Sequence, residues 1–152
     1  MKIRPKQLWK VPVFCIVCGF VCLFLTLSIG GFFFREKTVM EDGITKLSIN
    51  GTRSAIWSGF LFAAGLLAGG LWAFRSMTKA ELALSAAIIT AVYCVLYAMH
   101  LPGVSTLYMG FTGWITNLYT VLHQLTKQSD LSQWLSCLAP LLFIPFGKKS
   151  TN

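Results

Sequence analysis

Two apolar segments joined by a very short polar turn constrain this chain more than any other feature. Ala55–Phe74 (AIWSGFLFAAGLLAGGLWAF) is followed, after the turn Arg75–Lys79 (RSMTK), by Ala80–Met99, in which Glu81 is the only charge. Each segment is roughly 20 residues long, about what a helix needs to cross a ~30 Å hydrocarbon layer. So short a turn cannot itself cross a bilayer, so the pair is expected to form an antiparallel transmembrane hairpin. The turn carries two cations and no acid, which places it on the cytoplasmic side.

Composition agrees with a membrane chain. Of 152 residues 55% are hydrophobic and only 12% charged, with a mean hydropathy of +0.67. A soluble domain carries roughly twice that share of charge. The net charge of +8 suggests nucleic acid at first sight, but the cations flank apolar runs and do not collect on one helix or face, which argues against that partner. The five cysteines, Cys15, Cys18, Cys22, Cys94 and Cys137, all fall inside apolar segments. That placement fits packing residues better than an extracellular disulfide framework.

The first ten residues carry Lys2, Arg4, Lys6 and Lys10 with no acid, and an apolar run, Val11–Phe34, follows. This run is much longer than the apolar core of a signal peptide, so an uncleaved first span is expected with a cytoplasmic N-terminus. The basic start would also attract anionic lipid, and Trp9 suits the headgroup level. The next segment, Arg35–Ser54, mixes four cations with Glu36, Glu41 and Asp42. Its turn signals and the β-prone Ile44–Ile49 predict a small external hairpin. Asn50-Gly51-Thr52 is formally a glycosylation sequon, and a structural turn is the simpler reading.

In the second span Gly65 and Gly69 form a GxxxG, with Gly59 and Ala63 upstream. Small residues at this spacing let helices approach closely in lipid. They are therefore candidate packing residues, against another helix of the chain, a second copy or another membrane protein. Gly70, outside the pair, is expected to tolerate a larger side chain. At the start of the third span, Thr78 and Glu81 have the spacing of a capping box, which accounts for the acid nearest any membrane core.

From Leu107 to Lys127 the pattern becomes amphipathic. Leu107, Phe111, Trp114, Ile115, Leu118, Leu122 and Leu125 share one arc, with Thr112, Thr116, Thr120, His123 and Lys127 opposite. Gly110 and Gly113 weaken this helix, and its polar face is almost uncharged. It is expected to rest in the outer interface or against the bundle, with a re-entrant segment as the alternative. A fourth span over 131–146 carries Pro140 and Pro145, which bend a helix axis. Lys148 and Lys149 then hold the C-terminus inside. The segments assigned to the cytoplasm carry eight Lys/Arg and one acid, the outer ones five and four, so both termini are expected to be cytoplasmic.

Motifs for chemistry are sparse. His100 and His123 lie on the expected outer side without a visible third metal ligand beyond Asp130. Cys15 and Cys18 form a CxxC, but in an apolar helix where a reactive thiolate is disfavoured. No glycine-rich phosphate loop, nucleophile elbow or paired carboxylate is present, and no ionisable group other than Cys or Tyr sits mid-span. No catalytic residue, metal or cofactor is assigned.

The expected fold is therefore one all-α integral membrane domain over 1–152, in the plasma (inner) membrane. It has four spans, at about 11–34, 55–74, 80–99 and 131–146, and an amphipathic outer interfacial helix at about 107–127. The expected function is that of a non-catalytic packing, assembly or accessory subunit. The alternative is a small passive channel or permease lined by Thr112, Thr116, Asn117, Thr120 and His123.

Overall fold

The computed structural model describes residues 7–39, 45–99 and 106–148. Among these residues helix predominates, and three helices are long and apolar enough to cross a membrane: α1 (Lys10–Phe34), α2 (Gly51–Ala73) and α3 (Lys79–Ala98). They are followed by α4 (Thr106–Thr126), α5 (Ser129–Cys137) and a 3₁₀ segment, Ala139–Phe146. His100, Pro102, Gly103, Lys149, the Glu41–Gly43 turn and the basic residues Lys2, Arg4 and Lys6 lie outside the described residues.

Between α1 and α2 lies an antiparallel hairpin of β1 (Arg35–Val39) and β2 (Thr45–Ile49), with Arg35 paired to Ile49 and Val39 to Thr45. Asn50 ends the hairpin and caps α2. Its Oδ1 accepts from the Arg53 backbone N–H at 3.0 Å, and its Nδ2 donates to Glu36 Oε1 at 3.1 Å. The sequon asparagine is thus an N-cap, which satisfies an otherwise orphaned helix donor.

The opposite, basic end is tied together by backbone. Lys79 N donates to Lys148 O at 3.1 Å, and Lys148 N donates to Met77 O at 3.0 Å. Lys10 Nζ donates to Ser76 Oγ at 3.3 Å, and Ser85 Oγ donates to the Leu8 carbonyl. The start of α1, the Arg75–Lys79 turn and the C-terminal segment therefore share one end. The capping box forms: Glu81 N donates to Thr78 Oγ1 at 3.3 Å and Thr78 N donates to Glu81 Oε2 at 3.0 Å. Glu81 is buried there, with its carboxylate satisfied by the cap.

The main outcome concerns α4. Of the two placements expected for it, the outer interface or against the bundle, the structure shows the second: it runs along the bundle, packed chiefly against α1 and α2. Trp114 lies against Gly65, Val121 against Gly59 and Gln124 against Gly51, so α4 is antiparallel to α2. It therefore runs the same way as α3, and Phe111, near its start, sits beside Tyr93, five residues before the end of α3. The cause is the glycine pair that seemed only to weaken the helix. Gly110 and Gly113 bring α4 into backbone contact with Gly19 of α1, where any side chain would intrude.

The last segment is not one α-helix. Proline at 140 cannot donate to the carbonyl four residues back, and the chain changes to 3₁₀ geometry over Ala139–Phe146. Nine α residues and eight 3₁₀ residues together rise about 30 Å, because a 3₁₀ helix climbs ~2.0 Å per residue against ~1.5 Å. The segment is thus long enough to run the depth of the bundle without being a regular span.

Candidate functional site

The bundle is sealed by rings at its centre and toward the basic end. Trp114 is fully buried and stacks between Phe62 and Phe143, at centroid distances of 4.9 and 5.1 Å. Phe14 and Phe74 meet Phe143 edge-on at 5.8 and 4.8 Å. The indole Nε1 donates to the Phe62 carbonyl at 3.3 Å, which satisfies the one polar atom of the cluster. Gly65 is what admits the indole: a Cβ there would lie 2.5 Å from Nε1 and 2.8 Å from Cys18 Sγ.

Beyond this cluster, toward the hairpin end, is a cavity of about 380 Å³. It is lined by Cys22, Leu23 and Thr26 of α1, Ser54 and Ser58 of α2, Gln133 of α5, and the threonine side of α4. Thr112, Thr116, Asn117 and Thr120 are brought together on its wall. Among the described residues, none that lines the cavity is charged. Three of these threonines bond back into their own helix: Thr112 Oγ1 donates to Tyr108 O, Thr116 to Thr112 O and Thr120 to Thr116 O, at 2.9, 3.0 and 2.9 Å. Asn117 Nδ2 donates to Gly113 O at 2.9 Å. These bonds spend donors and leave the hydroxyl and amide oxygens as acceptors.

The cavity has a buried end and a mouth. Ser58 and Asn117 are each 7% exposed and Thr112 is 6% exposed. Thr116 and Met109 are exposed, and seven residues of helix put them on one face. The mouth therefore opens along the flank of α4, and Leu23 of α1 and Gln133 of α5, both half-buried, also line the cavity.

The other sequence candidates lie elsewhere. His123 is not in the cavity wall; it is half-buried and stacks on Tyr119 at 5.6 Å. Asp130 accepts from Tyr97 Oη at 3.4 Å. On α2, Gly65 and Gly69 pack inward, Gly69 under Phe143 and Phe14. Gly59 is half-buried near Val121, with a prospective Cβ 3.5 Å from it, and Ala63 is exposed. At ~100° per residue Ala63 stands about 160° round the helix from Gly65, so the four small residues do not form one face. Gly70 is a second correction: it is buried, and a Cβ there would lie 2.5 Å from the Phe146 ring. The contributions of Thr26, Ser54 and Ser58 escaped the sequence reading, although hydroxyls at helical spacing inside apolar runs were their signal. No protein-family model, curated protein or solved structure matches the chain.

Proposed function

We propose that the chain is a non-catalytic, four-span protein of the plasma (inner) membrane, with both termini cytoplasmic, acting as an accessory subunit. The carrying observation is the aromatic cluster of Trp114, Phe62, Phe143, Phe14 and Phe74. These rings fill the core on the basic side of the polar cavity, which weighs against an open path through the middle of the bundle. The basic end, where Lys10, Arg75, Lys79 and Lys148 come together, fits the cytoplasmic face of such a protein. Conversely, the GxxxG of α2 is filled by the chain's own rings. Association with a second copy or another membrane protein then falls to the outward flank of α2, where Phe60, Ala63, Leu67 and Leu71 are exposed.

The passive permease is the second reading, and the cavity itself favours it. It requires Trp114 and Phe143 to part. The two readings separate in reconstituted vesicles: the accessory reading expects no flux of small neutral solutes, with or without Phe143→Ala. Solute entry through the native chain, together with entry through a Thr116→Cys variant that stops when the introduced thiol is modified, would establish the permease instead.

A further inference from the structure

The cavity beside α4 combines three properties that together define a ligand class. Its buried end holds hydrogen-bonding groups, its wall is uncharged, and its mouth opens on the side of the helix bundle. At the buried end, Ser58 and Asn117, each 7% exposed, border the cavity, and the Asn117 side chain is held by its Nδ2 bond to the Gly113 carbonyl. Two such groups facing a cavity in a low-dielectric setting are matched best by a partner that hydrogen-bonds to them. A hydroxyl group fits both, because it can accept from Ser58 and donate to Asn117 or to the oxygen of Thr112. Met109 lies in the first turn of α4 and Thr116 at its middle, and Gly110, next to Met109, packs against Gly19 and Phe20 well inside α1, so the mouth is not at an end of the bundle. On the membrane reading, what reaches it comes from the lipid.

We propose that this cavity binds the head of a neutral lipid carrying a free hydroxyl group, with the acyl chains leaving past Met109 into the bilayer. A volume of about 380 Å³ is at the low end of the ~300–1,000 Å³ of small-ligand sites, enough for a glycerol head but not for two acyl chains. The absence of a cation among the described residues of the wall disfavours phosphate-bearing lipids, whose charge would be buried without a counter-ion. The inference rests on the membrane reading and is independent of the accessory role.

The test uses the full chain in phosphatidylcholine nanodiscs and three probes: 1,2-dioleoylglycerol, the same lipid acetylated at its hydroxyl, and dioleoylphosphatidic acid. Binding is read by native mass spectrometry across a titration. Saturable one-to-one binding of dioleoylglycerol is expected, weakened about three- to tenfold by acetylation, the range for one neutral hydrogen bond. Ser58→Ala and Asn117→Leu should each weaken dioleoylglycerol binding by a similar factor and leave binding of the acetylated lipid unchanged. Near-UV circular dichroism of the buried Trp114 checks that each variant is folded, and the comparison of the two lipids on the unaltered chain needs no variant. Equal binding of the hydroxyl and acetyl forms, preference for phosphatidic acid, or no saturable binding would each overturn the proposal.

Discussion

A Cβ on Gly113 would stand 2.5 Å from the carbonyl oxygen of Gly19, so α4 and α1 touch backbone to backbone at this point. The obstacle is main chain, which cannot rotate away as a side-chain tip can. Gly113→Ala and Gly19→Ala are each expected to destabilise the bundle by about 3 kcal/mol, the upper end for overpacking in a filled interior. Gly59→Ala, whose new Cβ would make an ordinary 3.5 Å contact with Val121, should cost under about 1 kcal/mol. Denaturant unfolding in detergent micelles, followed by Trp fluorescence, orders the three; equal losses would show that the α1–α4 contact is not so close.

The glycines of α2 follow the same logic with rings in place of backbone. Gly65→Leu and Gly69→Leu should abolish the folded state, because Trp114 and Phe143 occupy the space. Gly70→Leu should also be harmful, since Phe146 lies over it, whereas Ala63→Leu, on an exposed position, should be tolerated. Yield of monodisperse protein from membranes distinguishes them. A well-behaved Gly70→Leu protein would place Phe146 elsewhere.

Much of the fold was legible because its signals are local. Apolar length marked α1, α2 and α3; the spacing of Thr78 and Glu81 marked the cap; turn residues around Ile44–Ile49 marked the hairpin. The path of α4 was not legible, because the partner that rescues Gly110 and Gly113 is Gly19, about ninety positions earlier in the chain. Amphipathicity shows that a helix has two environments, and does not say whether the polar one is water, a cavity or the lipid side of a groove. The apolar arc of Trp114 and Ile115 does face the core, and Thr116 does face outward. The wall that Ser58 and Thr26 add from other helices depends on tertiary packing that no single periodicity contains.

The end of α4 offers a stabilising change. Lys127 has φ of 58°, a left-handed residue just past the helix, and its N–H donates to the His123 carbonyl at 2.9 Å. Glycine adopts this conformation without the steric penalty of a Cβ. Lys127→Gly is expected to raise stability by about 0.5–1 kcal/mol, seen as a higher unfolding midpoint in micelles. A lower midpoint would mean that the lysine side chain contributes more than the backbone strain costs.

Orientation is expected to depend on the basic end. Reporter fusions after Thr38, Ser76, Gln128 and Asn152 should report outside, inside, outside and inside. Neutralising Arg75 and Lys79 together should produce more misoriented protein than neutralising Arg35 and Lys37, because short cytoplasmic loops carry the positive-inside signal. An inside signal after Thr38 would overturn the four-span arrangement.

The surroundings of Thr116 decide between a groove open to lipid and a face open to water. With the native cysteines replaced by alanine, a spin label on a cysteine at Thr116 can be probed with oxygen, which concentrates in hydrocarbon, and with a neutral nickel chelate, which stays in water. Thr116 is exposed while its neighbours Ile115 and Asn117 are buried, so the label should be accessible to collisions, and mostly to those with oxygen. A label at Leu125, exposed near the end of α4, should instead favour the nickel chelate, because it lies beside the hairpin end where α2 begins. A label at Ile115 should collide with neither. Were the polar face of α4 lying in the outer interface, Thr116 and Leu125 would respond alike and nickel would dominate at Thr116. Oxygen dominance at Thr116 is the expected outcome, because the contact of Gly110 and Gly113 with Gly19 holds the first half of α4 against α1, well inside that helix.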